Sequence, residues 1–365
     1  MASSKKNITF FICSMSSGGA EHQVASLTDS LVERGYDVTI TTFGDDKDHY
    51  QLNEKIQRVR LADGRSKIVK LISIFWYFLT VRTDAVIIFG QRESVFALPP
   101  LCFRRVKVIA GERNFTRGVP SRYERILVNL LYYRADYIVP NSHSQMQHLA
   151  ESNPKIAGKL LVITNYTDIN GFKFCQPPQN KKIRIGIFGR YNPQKNYPKF
   201  IEAVYQLKQR GHSNFQIECY GNHHCKGEQK NAYYVQYQEL VEQLGVGDII
   251  HLNDHIQDVI EFLPKFDAIC LPSLWEGWSN SISEAICCGK PMLVSDVSDN
   301  KYMVHDGENG FLFNPESIDD MVTVFEKFFA LDSEQIKTMG ERSRSIAEQL
   351  FDKERFVSAY TQLLE

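Results

Sequence analysis

Residues 275–291 read WEGWSNSISEAICCGKP and set two carboxylates, Glu276 and Glu284, around seven mostly small and polar residues. A carboxylate accepts two hydroxyls well. Gly277 permits a tight loop, and Ser279, Asn280 and Ser281 are residue types that cap helix N-termini. Ile282, Ala285 and Ile286 form one apolar face and Gly289 supplies a stop, so NSISEAICCG is expected to be a short helix. The first N–H groups of such a helix lack partners and make an anion site. Glu276 precedes the helix. Glu284 lies off the apolar face, and helix side chains tilt toward the N-terminus. Both carboxylates then aim at one ligand that carries hydroxyls and phosphate, as a sugar nucleotide does. The plainer reading is a solvated Glu284 and an ordinary Ser-Asn-Ser cap, and a lone E-x7-E pair would favour it.

The surrounding elements argue for the first reading. NITFFICSM (7–15), DVTITTF (37–43), DAVIIFG (84–90), KVIAGE (107–112) and YIVPNS (137–142) are short apolar runs. Helical stretches separate several of them, among them 20–35, where Val24, Leu27 and Leu31 keep helical spacing. The polar segment FCQPPQNKK (174–182) reads as a linker. The cycle restarts with strands at 183–189, 215–221, 248–253, 266–273 and 290–296, a helix at 197–211, and a closing amphipathic helix at 351–365. The expected fold is α/β, with two Rossmann-like doubly wound parallel sheets facing across a cleft. Residues 1–178 form the first domain and 179–350 the second, with the helix at about 351–365 packing back on the first. The glutamate segment falls between the strands 266–273 and 290–296, at carboxyl ends where such sheets bind ligands.

Composition narrows the classes. The 365 residues exceed one ordinary core, 43% are hydrophobic, and the net charge of −1 gives no global attraction to nucleic acid. No run reaches the roughly 18 apolar residues of a membrane span, and the first residues show no signal-peptide pattern. Eight cysteines lie scattered without C-x-x-C pairs, as in reduced cytoplasmic proteins. His223, His224 and Cys225 adjoin in GNHHCKGE, but no second cluster completes a zinc site, so a solvated loop is expected.

In this setting EGWSNSISEAICCGKPML resembles the signature of retaining glycosyltransferases of family 4, which have the two-domain GT-B fold. GRYNPQKN (189–196) resembles the matching segment of their second domain, and SSGGAE (16–21) resembles the glycine loop of their first. The resemblance covers nearly the whole chain. It implies that Glu284 binds the nucleotide ribose and Glu276 meets the donor sugar. The backbone from Gly277 through Trp278, Ser279, Asn280 and Ser281 would hold sugar hydroxyls and phosphate. Arg190 and Lys195 match the pair that grips the diphosphate, and their charge suits a leaving group that gains negative charge. Gly18 and Gly19 would let the backbone approach phosphate or acceptor, although alone they are as readily an ordinary turn. The nucleobase would lie near His255 and Ile256. No metal is implied. Asp46-Lys47-Asp48 has the D-x-D form that holds a metal in single-domain GT-A enzymes, and here it reads as a solvated loop.

Two segments depart from the family pattern. GERNF (111–115) has Arg113 where many relatives carry a histidine, and Glu112, Arg113 and Asn114 are expected to face the cleft on the acceptor side. Arg113 would bind an acceptor phosphate or pair with Glu112. ITNYTD (163–168) keeps Asn165 but has Tyr166 in place of the usual glycine.

Charge in the first domain is uneven. Between Leu101 and Arg134, Arg104, Arg105, Lys107, Arg113, Arg117, Arg122, Arg125 and Arg134 are opposed only by Glu112 and Glu124. Such a face suits anionic lipid or a lipid-linked diphosphate, and a plain solvated face is the other reading. KIVKLISIFWYFLTVR (67–82) is apolar on nearly every side. A core helix on the sheet is expected, and a helix in a membrane interface is the alternative.

The resemblance implies a bacterial, cytoplasmic, metal-independent hexosyltransferase, peripheral on the inner face of the membrane. Its donor would be a nucleotide sugar, UDP-linked, carrying a hexose or N-acetylhexosamine. Its acceptor would be a growing glycan of the O-antigen or capsule kind, on a polyprenyl diphosphate. A GT-B sugar-nucleotide epimerase and a non-catalytic sugar-nucleotide-binding protein are the competing readings. A dinucleotide-dependent dehydrogenase would need G-x-G-x-x-G after the first strand, and MSSGGAEH does not supply it.

Overall fold

The structure, a computed structural model, describes residues 6–16, 18–43, 48–61, 66–113, 122–178, 181–224, 229–256 and 258–365. The chain divides into two compact units, Met1–Tyr166 with Lys353–Glu365, and Thr167–Asp352.

The first unit is built from β1 (Asn7–Ile12), α1 (Gly19–Glu33), β2 (Asp37–Thr42), β3 (Gln57–Arg60), α2 (Lys67–Thr80), β4 (Ala85–Phe89) and α3 (Gln91–Leu101). It continues through β5 (Lys107–Glu112), α4 (Arg122–Ile126) with a π-helical turn Leu127–Leu131, β6 (Tyr137–Pro140) and α5 (His143–Ser152). Its six strands are parallel in the order β3-β2-β1-β4-β5-β6. Helices cover both faces, so β1 and β4 are almost continuously buried, which is why they read as unbroken apolar runs.

The second unit holds β7 (Ile183–Phe188), α6 (Tyr197–Gln209), β8 (Phe215–Tyr220), α7 (Ala232–Gln243), β9 (Ile250–Asn253) and β10 (Ala268–Leu271). It ends with α8 (Asn280–Cys287), β11 (Met292–Ser295), β12 (Gly310–Phe313), α9 (Ile318–Phe329) and α10 (Ser333–Leu350). Its parallel order is β12-β11-β10-β7-β8-β9. The last helix, α11 (Lys353–Leu364), belongs to the first unit. There Phe356, Val357, Tyr360, Leu363 and Leu364 are buried, and Phe356 stacks on Tyr166 with ring centroids 5.7 Å apart.

The division falls after Tyr166, ahead of the polar segment read as a linker. Residues 167–178 are already tied into the second unit. Cys175 N donates to Cys288 O at 2.9 Å, and Arg344 Nη1 donates to Phe172 O at 2.7 Å and Cys287 O at 2.6 Å. Phe174 lies against Gly289, which ends α8 at φ 72° and leaves no room for a Cβ.

The structure corrects the expectation for 67–82. α2 does pack on the sheet, but only Ile74 and Phe78 are buried. Ile68, Leu71, Ile72, Phe75 and Trp76 are 70%, 44%, 53%, 39% and 59% exposed. A helix laid on a sheet has one face against it, and no further layer of described residues covers the other.

Candidate functional site

In the second unit β7 and β10 lie side by side, and the chain leaves them in opposite directions, to β8 and to β11. The carboxyl ends of such a strand pair form the crevice where open parallel sheets take ligands. The loops at this point are 189–196 after β7 and 272–279 after β10. They carry Arg190, Lys195, Glu276, Gly277, Trp278 and Ser279.

Lys195 Nζ donates to Glu276 Oε1 at 2.7 Å, and the two side chains are 12% and 10% exposed. The backbone around the pair is braced. Asn192 caps the 3-10 turn Pro193–Lys195 by accepting from Lys195 N at 3.2 Å. Gln194 Nε2 donates to Trp275 O at 2.8 Å, and Leu274 N donates to Gln194 O at 2.8 Å. Glu276 N donates to Ser298 Oγ at 3.1 Å. Asn196 follows the turn at φ 55°, a conformation that asparagine tolerates better than most side chains. Gly189 gives Lys195 its path, since a Cβ there would stand 2.9 Å from Lys195 Cε. Arg190 is exposed and makes no hydrogen bond or ion pair with a described residue. It remains available to an anion.

α8 begins over the same crevice. Ser279 is its N-cap and accepts from Ile282 N at 3.5 Å. Ser281 Oγ donates to Phe188 O at 3.0 Å, so its hydroxyl proton fastens α8 to the end of β7 and is not free for a ligand. Gly277 and Asn280 are half-buried, while Trp278 is buried and its Nε1 finds no acceptor among the described residues. Glu284 stands half-buried in the second turn of α8, and its carboxylate makes no hydrogen bond or ion pair with a described residue. Burial, and then the charge of Asp258, push its carboxyl up to about 7. Ile256 is half-buried on the segment after β9 that also carries Asp258. On that segment Asp254 Oδ1 accepts His255 N at 2.8 Å and His223 N at 3.0 Å.

The first unit repeats the topology, with its switch point between β1 and β4. Gly18 caps α1 with an extended φ of 178°, and a Cβ there would collide with the Glu21 carboxylate. Tyr50 OH donates to Gly18 O at 3.0 Å, and Gly19 opens α1. Gly90 plays the matching part after β4 at φ 127°, where a Cβ would collide with the Glu93 carboxylate. Burial raises Glu21, and it raises Glu93 to about 7, with the charge of Glu21 adding to the effect.

Of the acceptor-side residues, Glu112, Arg113 and Asn165 are engaged within the first unit. Glu112 ends β5 and is fully buried, with Gln145 Nε2 donating to its Oε2 at 3.0 Å. Burial pushes its carboxyl up to about 8; Glu124 raises it further and Gln91, Arg113 and Gln145 draw it down. Glu112 therefore faces the interior and presents no surface to a ligand. Arg113 neither stands free nor bonds Glu112. Its guanidinium donates to Asn165 Oδ1 at 3.4 Å and to Tyr360 OH on α11, and lies 4.5 Å over the Phe89 ring. Asn165 is buried with it. Tyr166, in the place of a glycine, is clasped by Gln23: Tyr166 N donates to Oε1 at 2.7 Å and Nε2 donates to Tyr166 O at 2.6 Å. Asn114, Arg117, Cys225, Asp46 and Lys47 lie outside the described residues. Asp48 pairs with Arg58 at 2.6 Å and Arg60 at 3.4 Å. His223 is stacked on Tyr234, with centroids 4.0 Å apart, and is not simply solvated. Among the described residues no group of three or more His, Cys, Asp or Glu is placed to hold a metal.

Residues 17–170 match the family model for Glycosyltransferase Family 4, and residues 169–346 match that for Glycosyl transferases group 1. The fold is shared with an Anabaena protein, HepE, solved in complex with UDP and glucose, at a TM-score of 0.80 and 18% identity over 98% of this chain and 99% of that one. The chain is a family 4-like GT-B glycosyltransferase. This glycosyltransferase is 22% identical to the N-acetylgalactosamine-N,N'-diacetylbacillosaminyl-diphospho-undecaprenol 4-alpha-N-acetylgalactosaminyltransferase of Campylobacter jejuni, over 95% of this chain and 96% of the relative. It is 28% identical to the UDP-Gal:alpha-D-GlcNAc-diphosphoundecaprenol alpha-1,3-galactosyltransferase of Escherichia coli, over 51% of this chain and 49% of that relative.

Sequence reasoning missed several residues that shape the candidate site. Gln194 and Ser298 brace the Lys195–Glu276 pair, and Asp258 acts on Glu284. Glu21 and Glu93 sit over the two glycines of the first unit. The order strand, glycine, two residues, glutamate recurs in FGQRE and was the available signal for Glu93.

Proposed function

We propose that this glycosyltransferase moves a hexose or N-acetylhexosamine from a UDP-linked sugar to a growing glycan on a polyprenyl diphosphate, with retention at the anomeric carbon. The observation that carries the reading is the Lys195–Glu276 pair at the carboxyl ends of β7 and β10, with exposed Arg190 in the same loop. The UDP assignment draws support from the HepE complex, and the acceptor from the names of the Campylobacter and Escherichia relatives.

In this reading Arg190 and Lys195 hold the diphosphate, the first as a bidentate fork and the second as a point charge. Glu276 meets the donor sugar and keeps Lys195 in place. The N–H groups from Gly277 to Ser281 receive phosphate and sugar oxygens at the positive end of α8. Glu284 accepts the ribose hydroxyls, and Ile256 borders the base. The acceptor belongs to the first unit, where Gly18 and Gly19 let the backbone come close.

The acceptor hydroxyl attacks the anomeric carbon from the face that the nucleotide leaves. The bond from that carbon to the phosphate oxygen breaks as the glycosidic bond forms, and the departing phosphate oxygen takes the hydroxyl proton. No side-chain base is required, so catalysis is positioning plus stabilisation of charge growing on the diphosphate. Arg190, Lys195 and α8 supply that positive charge, and the scheme assigns no metal.

The test is product analysis. The full chain is incubated with UDP-sugars and a short polyprenyl-diphosphate-linked sugar, and the new linkage is read by proton NMR. Transfer with the donor's own anomeric configuration is expected. An inverted linkage would overturn retention. An epimerised sugar nucleotide formed without acceptor would make the protein an epimerase.

A further inference from the structure

We infer that the outer face of α2, with the basic residues around it, seats the protein on the surface of an anionic lipid bilayer. Ile68, Leu71, Ile72, Phe75 and Trp76 follow the spacing i, i+3, i+4, i+7, i+8, so they form one stripe. All five are exposed, between 39% and 70%. The opposite stripe, Ile74 and Phe78, holds the helix to the sheet, and Thr41 Oγ1 donates to Tyr77 OH at 2.9 Å. α2 thus keeps a core-facing stripe and adds a second apolar stripe that nothing described covers. α3 packs beside α2, and the turn Leu127–Leu131 beside α3. This layer also exposes Phe103 and Leu130, at 77% and 69%. Contiguous apolar surface of this kind marks an interaction site.

Charge selects the occupant. Lys67, Arg82, Arg105, Arg122 and Arg125 are exposed in the same layer, and Lys70 and Arg104 are half-buried. Arg104 Nη1 donates to Phe78 O at 3.1 Å, which fixes a cation near the carboxyl end of α2. Over 66–113 and 122–134 the acidic residues are Asp84, Glu93, Glu112 and Glu124, and the last three are buried. The exposed charge is therefore almost wholly positive. Aliphatic and indole side chains ringed by lysine and arginine match the boundary between acyl chains and anionic headgroups. The helix lies in the interface and does not cross it, since no helix among the described residues is long and apolar enough to span.

The inference is independent of the proposed reaction, and its test needs neither donor nor acceptor. The full chain is floated with vesicles of phosphatidylcholine alone and of phosphatidylcholine with an equal share of phosphatidylglycerol. Binding to the phosphatidylglycerol vesicles is expected, weakening as salt is raised. Ile72→Ser with Trp76→Ser should lower the partition coefficient at least roughly tenfold, because two apolar side chains that would enter the bilayer are lost. Lys67→Glu with Arg105→Glu should abolish the preference for phosphatidylglycerol. Melting temperature and UDP binding should hold in both variants, which separates surface loss from misfolding. Failure of the wild type to float, or equal flotation of the apolar variant, would overturn the inference. So would a wild-type dimer that Ile72→Ser with Trp76→Ser turns into a monomer, since the face would then belong to a second copy. Loss of UDP binding by the wild type would count against the proposed reaction and leave the membrane result standing.

Discussion

Lys195 and Glu276 lie 81 residues apart in sequence, and their side chains meet at 2.7 Å where β7 and β10 end. The contact joins the two loops at the topological switch point of the second unit. In the proposed mechanism it holds a cation in place to meet the diphosphate, so little reorganisation is left for the reaction itself.

Removing that cation should show in the rate more than in binding. Lys195→Ala is expected to lower kcat by about 10²–10³-fold, the range typical of one lost electrostatic contact to a leaving group. Glu276→Gln keeps a hydrogen-bond acceptor for Lys195, so UDP should bind nearly as before while transfer falls. Steady-state kinetics beside UDP titration checks both. Equal kcat in the wild type and Lys195→Ala would remove Lys195 from the mechanism.

Glu284 links donor binding to pH. Its carboxyl is pushed up to about 7 from an ordinary 4.5, so it is mostly neutral at pH 6 and mostly ionised at pH 8. An ionised carboxylate is the better acceptor for ribose hydroxyls. UDP should therefore bind more tightly at pH 8 than at pH 6, and Glu284→Gln should remove most of that difference. Calorimetry at the two pH values decides it.

Glu112 should make the first unit less stable at high pH. Its folded value of about 8 lies above the ordinary 4.5, so between these values the folded state holds more protons than the unfolded state. Its contribution is full below about 4.5 and is lost as pH rises through about 8. Denaturant melts should show stability falling by roughly 1–3 kcal/mol between pH 5.5 and 8 on this account, each unit of elevation being about 1.4 kcal/mol. Glu112→Gln should flatten the slope, and an unchanged slope would assign the pH dependence elsewhere.

Ser281 serves as a fastener. Ser281→Ala removes the hydrogen bond to Phe188 O and should cost about 1 kcal/mol of stability with little change in UDP affinity. A large loss of affinity without a loss of stability would return the hydroxyl to the donor.

Where sequence and structure agree, the cause is local. Runs such as AVIIF and the capped apolar pattern of NSISEAIC carry their own signal. β3, with the sequence QRVR, is an edge strand without a buried residue, so no apolar run announces it. β12 is four residues long and follows a turn. α2 misleads because its two apolar stripes look alike in sequence, and only the sheet decides which is buried. Glu276 and Lys195 were legible as a motif. The partners of Arg113 on α11 and of Ser281 on β7 are 247 and 93 residues away, beyond what spacing can reveal.

The most direct measurement is calorimetric titration of UDP, GDP and NAD into the full chain, with Glu284→Ala alongside. The account expects UDP to bind in the micromolar range, and Glu284→Ala to weaken it by roughly 1.5–3 kcal/mol, as for a lost charged hydrogen bond. Preference for GDP would keep the chemistry and replace the donor. Binding of NAD, or of none of the three, would contradict the account.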